Sequence, residues 1–524
     1  MPFELTFEGG LNETNRHYIQ AGECFSGFNF TLNHTDGSFR RRPTQDSISV
    51  ADNGEAITGL VQLRKRNDTL STLVQAGTSL YRYAPTSMTT VVATVASGAK
   101  LRGIGSQYNW ELGDYQIITD IALSEPVSTW NGTTYSAMGH TIPGVTNFYA
   151  KYAAVKDGRV WLFNIRTDGD YNPHMLLASE YEDASNYDSS TLGESVGAST
   201  DPFYMLSPDM RTINGACLFK NQLIISTNNG RLFRLSGTDP STYAWVDFYD
   251  GSAAIGTETL LNIGNDVMYL QSGANVELLS STEEYGDVKA DDVGRFIQTT
   301  LSNVTDAISV YDQWRQRAYF FIANKVLVFD KNSWGVRRGL SPWAVWTTNM
   351  PNLFNAGVAG YIAHPDYPGS TVVWGDDQGN LYDLNGQGLV GDDDEYPIVA
   401  NRVSREAESP EFISSSLAGR VHYSRRGECV ANITGLFGGS FAKPSVPVTL
   451  KGPTFDSAAI FFGGPAWLGG PYYFGAEASN EEEAAATSTV GFDLPGEGGH
   501  ISLTIEIQTS GEFEVNKIKA GRPV

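Results

Sequence analysis

Short runs of apolar and β-branched residues, broken by Gly, Asn and Asp, set the rhythm of this chain. Three such runs, at 267–270, 318–322 and 325–329, lie within residues 264–330, and each has the length of an ordinary strand. The segment AYFFIANKVLVFD at 318–330 is the clearest hairpin signal, because two apolar strands flank the tight Ala323-Asn324 link and Asp330 closes the second. The same strand–turn–strand phrase returns at 70–83, 152–165, 217–235, 264–280 and 370–384, each time with a polar Gly or Asn turn before an aliphatic or aromatic pair. Later units follow one another at roughly 45–55 residues, near the usual blade period of about 40–50. Sheets of this size cannot bury both faces alone, and radial stacking protects their edges. The pattern predicts an all-β protein: a β-propeller with an additional β-rich domain built from the terminal segments. Alternation does not fix the blade number.

The pattern also divides the chain. Residues 1–55 read as an amino-terminal β arm outside the propeller, with a strand at 24–32, an Asp36-Gly37 turn and a return strand at 38–42. Residues 56–391 read as the propeller, and 392–524 as a carboxyl-terminal β-rich domain, entered through the acidic run Asp392 to Glu395. In that last part Ile501, Leu503, Ile505 and Ile507 alternate with polar residues, as a half-buried antiparallel strand requires. Residues 166–210 lack periodicity and read as a long surface excursion. Trp334, Trp343 and Trp346 read as blade packing rather than a ligand cage.

Composition agrees with a turn-rich sheet protein: 524 residues with 55 Gly, 12% aromatic and 18% charged. Helix-length amphipathic runs are few. The formal charge of −23 disfavours tight non-specific binding to a phosphate backbone. Basic residues cluster locally at Arg40, Arg41 and Arg42 and again at Arg64, Lys65 and Arg66. Cys24, Cys217 and Cys429 are odd in number and lack metal-ligand spacing, which predicts reduced, buried thiols. The first residues carry no secretory pattern, no apolar run is long enough to span a membrane, and the sequons at Asn12, Asn33 and Asn131 read as turn chemistry.

A search for catalytic frameworks returns no phosphate loop, HExxH, GxSxG or EF-hand pattern, and no cofactor or metal site is expected. His364-Pro365-Asp366 reads as a structural turn. Asp168, Asp170, Glu180 and Glu182 are the acids that would serve a glycan-binding or glycan-cleaving propeller, acting at a tail tip or host surface. The same four are candidate acidic residues of a lumen or mouth.

Several motifs taken in order resemble the tail nozzle (tail tube) proteins of short-tailed bacteriophages. They are GECFSGFNFTL followed by FRRRP, PVSTWNGTTYSAMG at 126–139, YAAVKDGRVWLFNI, NGRLFRLSGTDPSTYAW, NDVMYLQSGANVELLS, VYDQWRQRAYFFIANKVLVFDKNSWGV and a closing ISLTIEIQTSGEFEVNKI. The resemblance covers most of the chain; the 166–210 stretch and the acidic run at 392–395 have no match in it. It implies a non-enzymatic structural protein of the virion tail, assembled in the host cytoplasm. Six copies would form a ring on the adaptor (head-to-tail connector) protein, with tail fibres as further partners. The ring would make the channel for genome ejection, with double-stranded DNA passing without sequence-specific binding and no membrane insertion. Arg40, Arg41, Arg42, Phe461, Phe462 and Trp467 are the candidate adaptor or subunit contacts.

Overall fold

The structure is a computed structural model. It describes residues 3–521 except 7–8, 15–19, 21–22, 34–37, 108–113, 143, 188–202, 239–241, 252, 272–274, 282–287, 337–338, 348–355, 364–369, 387–391, 394–395, 398–400, 414–415, 426–427, 438–444, 452–486, 496–497 and 509–512. The fold is nearly all β, with only short helical turns among the described residues. The chain forms two units, one of residues 1–46, 325–351 and 385–524, the other of residues 47–324 and 352–384.

The second unit is the propeller, and its described residues form seven blades. Their first strands are Ile57–Arg64, Leu101–Gln107, Phe148–Lys156, Ile213–Phe219, Leu260–Asn262, Ile308–Asp312 and Val358–Ala363, and these neighbour one another in a closed ring. Blades three, four and five are four-stranded antiparallel sheets of consecutive strands. Blades one and two join into one eight-stranded sheet through a single parallel bridge, Arg102 opposite Leu60. Blade six contributes Ile308–Asp312 and Arg317–Ile322 from this unit. Blade seven, Val358–Ala363, Ser370–Gly375 and Asn380–Gly386, gains Thr44–Ala51 from the start of the chain.

The packing follows from the strand pattern. Each blade is apolar on both faces, so the core is a series of clusters sandwiched between successive blades. Leu63, Leu73, Leu101 and Trp130 lie between blades one and two, and Ile117, Phe148, Leu162 and Tyr187 between two and three. Trp161, Phe163, Leu223 and Ile225 fill the next gap, and Ile224, Val267 and Tyr269 the one after. Ala51, Ile57, Val358 and Val373 close the circle between blades seven and one.

Two sequence expectations change here. The stretch 166–210 is not simply an excursion: Tyr171–Ala178 and Phe203–Leu206 are the third and fourth strands of blade three. They are held by register against Arg159–Thr167, which passes a bulge near Asn164, whose φ is 57°. The 1–55 arm does not lie wholly outside the propeller, because its last residues supply the closing strand of blade seven.

The other unit contains two antiparallel sheets made from both ends of the chain. One orders Phe30–Asn33, Ser38–Arg41, Phe513–Gly521, Ser416–Arg425 and Thr487–Pro495, with Phe3–Thr6 also on Phe513–Gly521. The other orders Ser26–Phe28, Asn401–Ile413, Gly498–Gln508, Glu428–Phe437 and Ser445–Lys451. Leu503, Ile505 and Ile507 are buried, as their alternation predicts. The amino-terminal arm and the carboxyl-terminal segment are therefore one body, entered at residue 385. Asp392–Asp393 pairs with Tyr396–Pro397 in a minimal hairpin.

This unit also holds Lys325–Asp330 paired with Trp343–Thr347, the latter clasped by the arm. Gly10 N–H donates to the Ser341 carbonyl at 2.6 Å and Leu11 N–H to the Trp343 carbonyl at 2.8 Å. A Cβ at Gly10 would lie 2.0 Å from that Trp343 oxygen, so only glycine permits this approach. Trp343 and Trp346 are fully buried, and Trp346 Nε1–H donates to the Phe30 carbonyl at 2.9 Å, so both serve packing. The two strands of AYFFIANKVLVFD are Arg317–Ile322 and Lys325–Asp330, and the boundary between units falls in the turn that links them.

The seam between blades one and seven carries a side-chain imitation of a strand pair. Gln62 Nε2–H donates to the Ala363 carbonyl and Ala363 N–H to Gln62 Oε1, both at 2.8 Å. Gln62→Leu leaves both backbone groups without these bonds, so urea unfolding should show a loss of about 1–3 kcal/mol. A stability unchanged within ~0.5 kcal/mol would remove this role.

Candidate functional site

Within a blade the first strand runs from one face of the propeller to the other. We call these the first and second faces. Turns after the first and third strands then lie on the second face, and turns after the second strand, with the links between blades, lie on the first. The axial channel and its two mouths are where a propeller usually works.

The first-face end of the channel is spanned by an ion pair. Arg102, at the start of blade two, donates from Nε to Glu258 Oε1 at 2.5 Å, although Glu258 belongs to the link before blade five. The same guanidinium donates from Nη1 to the Thr58 carbonyl of blade one at 2.6 Å and from Nη2 toward Gly357, just before blade seven, at 3.4 Å. Ser309 of blade six donates to the Glu258 carbonyl. One arginine thus ties blades one and two to the links before blades five and seven, with side-chain exposures of only 18% for Arg102 and 23% for Glu258. A planar fork with several donors suits this role better than an ammonium would.

The four acids singled out in the sequence do not meet. Asp168 and Asp170 occupy the turn between the second and third strands of blade three, on the first face. Glu180 and Glu182 follow the third strand, on the second face. The intervening strand, Tyr171–Ala178, spans roughly 25 Å at about 3.3 Å per residue. Paired glycosidase carboxylates stand about 5–9.5 Å apart, so no pair drawn from opposite ends can act across one sugar.

Asp168 also has structural employment. Its carboxylate accepts from Thr146 N–H at 2.5 Å and Asn147 N–H at 3.1 Å, and the Thr146 bond is the main reason its carboxyl is held below the usual range. Asp170 is exposed, and its carbonyl accepts from Thr167 N–H at 2.9 Å. Glu180 accepts from the Asn186 amide. Glu182 sits at φ 59° with its N–H on the Gly158 carbonyl at 2.8 Å.

Of the proposed contact residues, Arg42 is only 2% exposed. It donates to Asn29 Oδ1 at 2.9 Å, the Pro43 carbonyl at 2.8 Å and the Thr347 carbonyl at 3.1 Å. Arg42 therefore fastens the arm to the Trp343–Thr347 strand instead of offering charge to a partner. Arg40 and Arg41 lie on Ser38–Arg41, opposite Thr31 and Phe30. Phe461, Phe462 and Trp467 lie outside the described residues, as do His364, Pro365 and Asp366. Arg64 pairs with Asp68 at 2.9 Å and Arg66 with Asp114 at 2.8 Å. Cys24 is buried, and half-buried Cys217 has its thiol pushed up to about 12 by desolvation, so it stays protonated. The described residues contain no cluster of three or more metal-ligating side chains and no helix long and apolar enough to cross a membrane.

Sequence reasoning missed the Arg102–Glu258 bridge. The pair is 156 residues apart, and neither LRGIGSQ nor the turn around Glu258 carries a local signal for it.

Arg102→Met should cost about 2–4 kcal/mol in urea unfolding, because it strips donors from buried carbonyls and leaves Glu258 unpaired. Glu258→Gln should cost less. Equal stability of Arg102→Met and wild type would refute the bridge. For Asp168 the folded pKa lies below its unfolded value. Its contribution is therefore complete above the ordinary carboxyl range near pH 4 and is lost as pH falls through the depressed value. Amide exchange at Thr146 and Asn147 should speed up in Asp168→Asn at neutral pH, and in wild type only under acid conditions.

No family model matches the chain, and no curated protein matches it. Among solved structures it is similar to the extracellular domain of a one-component system from B. thetaiotaomicron, with 13% identity, a TM-score of 0.41 and coverage of 66% of this chain and 40% of that one. It is similar also to the extracellular domain of a hybrid two-component system from the same organism, at 12% identity and TM-score 0.41, covering 71% and 44%. BBS1N in complex with ARL6DN is a further neighbour, at 6% identity and TM-score 0.42, covering 69% and 99%. The chain thus spans less than half the length of the first two.

Proposed function

We propose that this protein is a structural component of a short phage tail, a nozzle subunit whose ring encloses the path of the ejected genome. The observation that carries this reading is the order of the quoted motifs over several hundred residues. Two physical features support it. The charge of −23 gives a surface that repels a phosphate backbone at short range, so that DNA slides without being trapped. The Arg102–Glu258 bridge obstructs the propeller's own axis, so in this reading the genome travels through the space the ring encloses, not through a propeller. The strand that parts Asp168 and Asp170 from Glu180 and Glu182 favours this reading over glycan cleavage by a pair drawn from opposite ends.

A closed ring needs head-to-tail contacts whose rotation closes. Cryo-electron microscopy of the particle with which the chain co-purifies should reveal six copies around an axial channel at the end of a short tail. A chain that occupies no tail density, in particles that contain it by mass spectrometry, would overturn the proposal.

A further inference from the structure

Asn-Gly pairs stand at 53–54, 131–132, 214–215, 229–230 and 385–386. Such a pair can lose ammonia, because no side chain on the glycine hinders its nitrogen from reaching the asparagine Cγ. Folding decides which pair is free to react. The side chain of Asn385 lies outside the described residues, and Asn214 and Gly215 are held inside the strand Ile213–Phe219. The other three pairs occupy turns, with φ of 62° at Gly54, 90° at Gly132 and 92° at Gly230.

These turns treat the reacting atoms differently. Gly54 N–H donates to the Ala51 carbonyl at 3.0 Å and Gly230 N–H to the Thr227 carbonyl at 3.1 Å, so both nitrogens are tied back. The Asn53 amide is engaged as well, on the Ala76 carbonyl at 3.0 Å. By contrast, Gly132 N–H and the Asn131 amide nitrogen have no acceptor among the described residues. Asn131 is exposed, and its Oδ1 accepts from Thr133 N–H at 2.9 Å and Thr134 N–H at 2.8 Å. Asn53 Oδ1 accepts from Glu55 N–H at 3.2 Å, and Asn229 Oδ1 from the Thr227 hydroxyl at 2.6 Å and Arg231 N–H at 3.4 Å.

The two backbone donors on Asn131 stand where charge develops. Attack on Cγ turns Oδ1 into an oxyanion, which paired N–H groups stabilise as an oxyanion hole does. We infer that Asn131 is a self-modifying site, converted through a succinimide to isoaspartate and aspartate. Hydroxide takes the Gly132 amide proton, the nitrogen bonds to Cγ, and the Cγ–Nδ2 bond breaks with Nδ2 leaving as ammonia. Water then opens the ring. Cleavage at the main-chain carbonyl gives isoaspartate, with the chain running through Cβ and Cγ, and cleavage at Cγ gives aspartate. Nothing is oxidised or reduced.

The change bears on how blade two meets blade one. The Gly132 carbonyl accepts from Ser71 Oγ–H at 3.2 Å and from Arg82 Nη2 at 3.1 Å, both on blade one, and the Arg82 guanidinium lies 6.0 Å over the Trp130 ring. Aspartate keeps this connection and adds a carboxylate beside Arg82. Isoaspartate lengthens the backbone before Gly132 by one carbon and moves its carbonyl off both donors.

The test incubates the full chain in mild alkali, folded and in urea, and follows ammonia loss at each Asn-Gly pair by peptide mapping. Asn131 should react first in the folded protein, about tenfold faster than in urea, a modest share of the roughly 10²–10³ that an enzyme's oxyanion donor supplies. Asn53 and Asn229 should react more slowly folded than in urea. Thr133→Pro removes one donor and should return Asn131 to its rate in urea. The isoaspartate species, separated by ion exchange, should melt below Asn131→Asp, which should melt with wild type. A folded Asn131 that reacts no faster than in urea, or that Asn53 or Asn229 precedes, overturns the site, and this comparison decides alone where Thr133→Pro fails to fold. An isoaspartate species that melts with Asn131→Asp overturns the loosening between the blades.

Discussion

The seven blades hold one another only because the circle closes, and the seam between blade seven and blade one is where that closure is made. The chain does it in three ways at once. Residues 47–51 extend the last blade with a strand from before the first, Gln62 bonds Ala363 as a backbone would, and Ile57 and Ala51 pack with Val358 and Val373. Without these contacts the last sheet would present an unpaired edge and half a core. Every interblade cluster depends on the seam, because each blade buries its two faces only between two neighbours.

Carboxylates do much of the fine work inside this frame, which alters how the net charge should be viewed. Asp120 accepts from the N–H groups of Lys100, Ala122, Ser124 and Glu125, and Asp376 from those of Gln378 and Asn380 as well as from the Asn380 amide. Asp120, Asp312, Asp330, Asp376 and Asp383 are all buried. A buried carboxylate that gathers several backbone donors fixes a turn more firmly than Gly or Asn alone. Part of the acidity is therefore a folding device, and only the remainder acts on partners.

Local repeats were legible in the sequence and long-range relations were not. The phrases at 70–83, 152–165 and 217–235 announce their strands because both neighbours in the sheet are adjacent in sequence. YNPHMLLA at 171–178 contains Pro and His and alternates poorly, yet it is a strand because Arg159–Thr167 provides its ladder. The closing strand, TQDSISVA at 44–51, has its blade-seven neighbour Asn380–Gly386 more than 300 residues away and pairs on its other side with Thr86–Met88, so with no strand next to it in sequence as a partner it read as part of an arm. The triple arginine illustrates the same limit. Nothing in FRRRP distinguishes Arg42, whose partners Asn29 and Thr347 lie far apart in the chain.

The division of the chain bears on how the protein is made. Its path passes between the two units four times, at 46/47, 324/325, 351/352 and 384/385. Phe3–Thr6 takes its ladder from Phe513–Gly521, with Phe3 opposite Ala520. At about 5–20 residues per second, the first strand waits roughly 25–100 s on the ribosome before its partner exists. Neither unit can be cut out as a continuous segment, and the propeller cannot complete its last blade until most of the chain has emerged. Synthesis thus leaves apolar strands exposed for that interval, and the nascent chain must be shielded from its own copies before it can assemble with them.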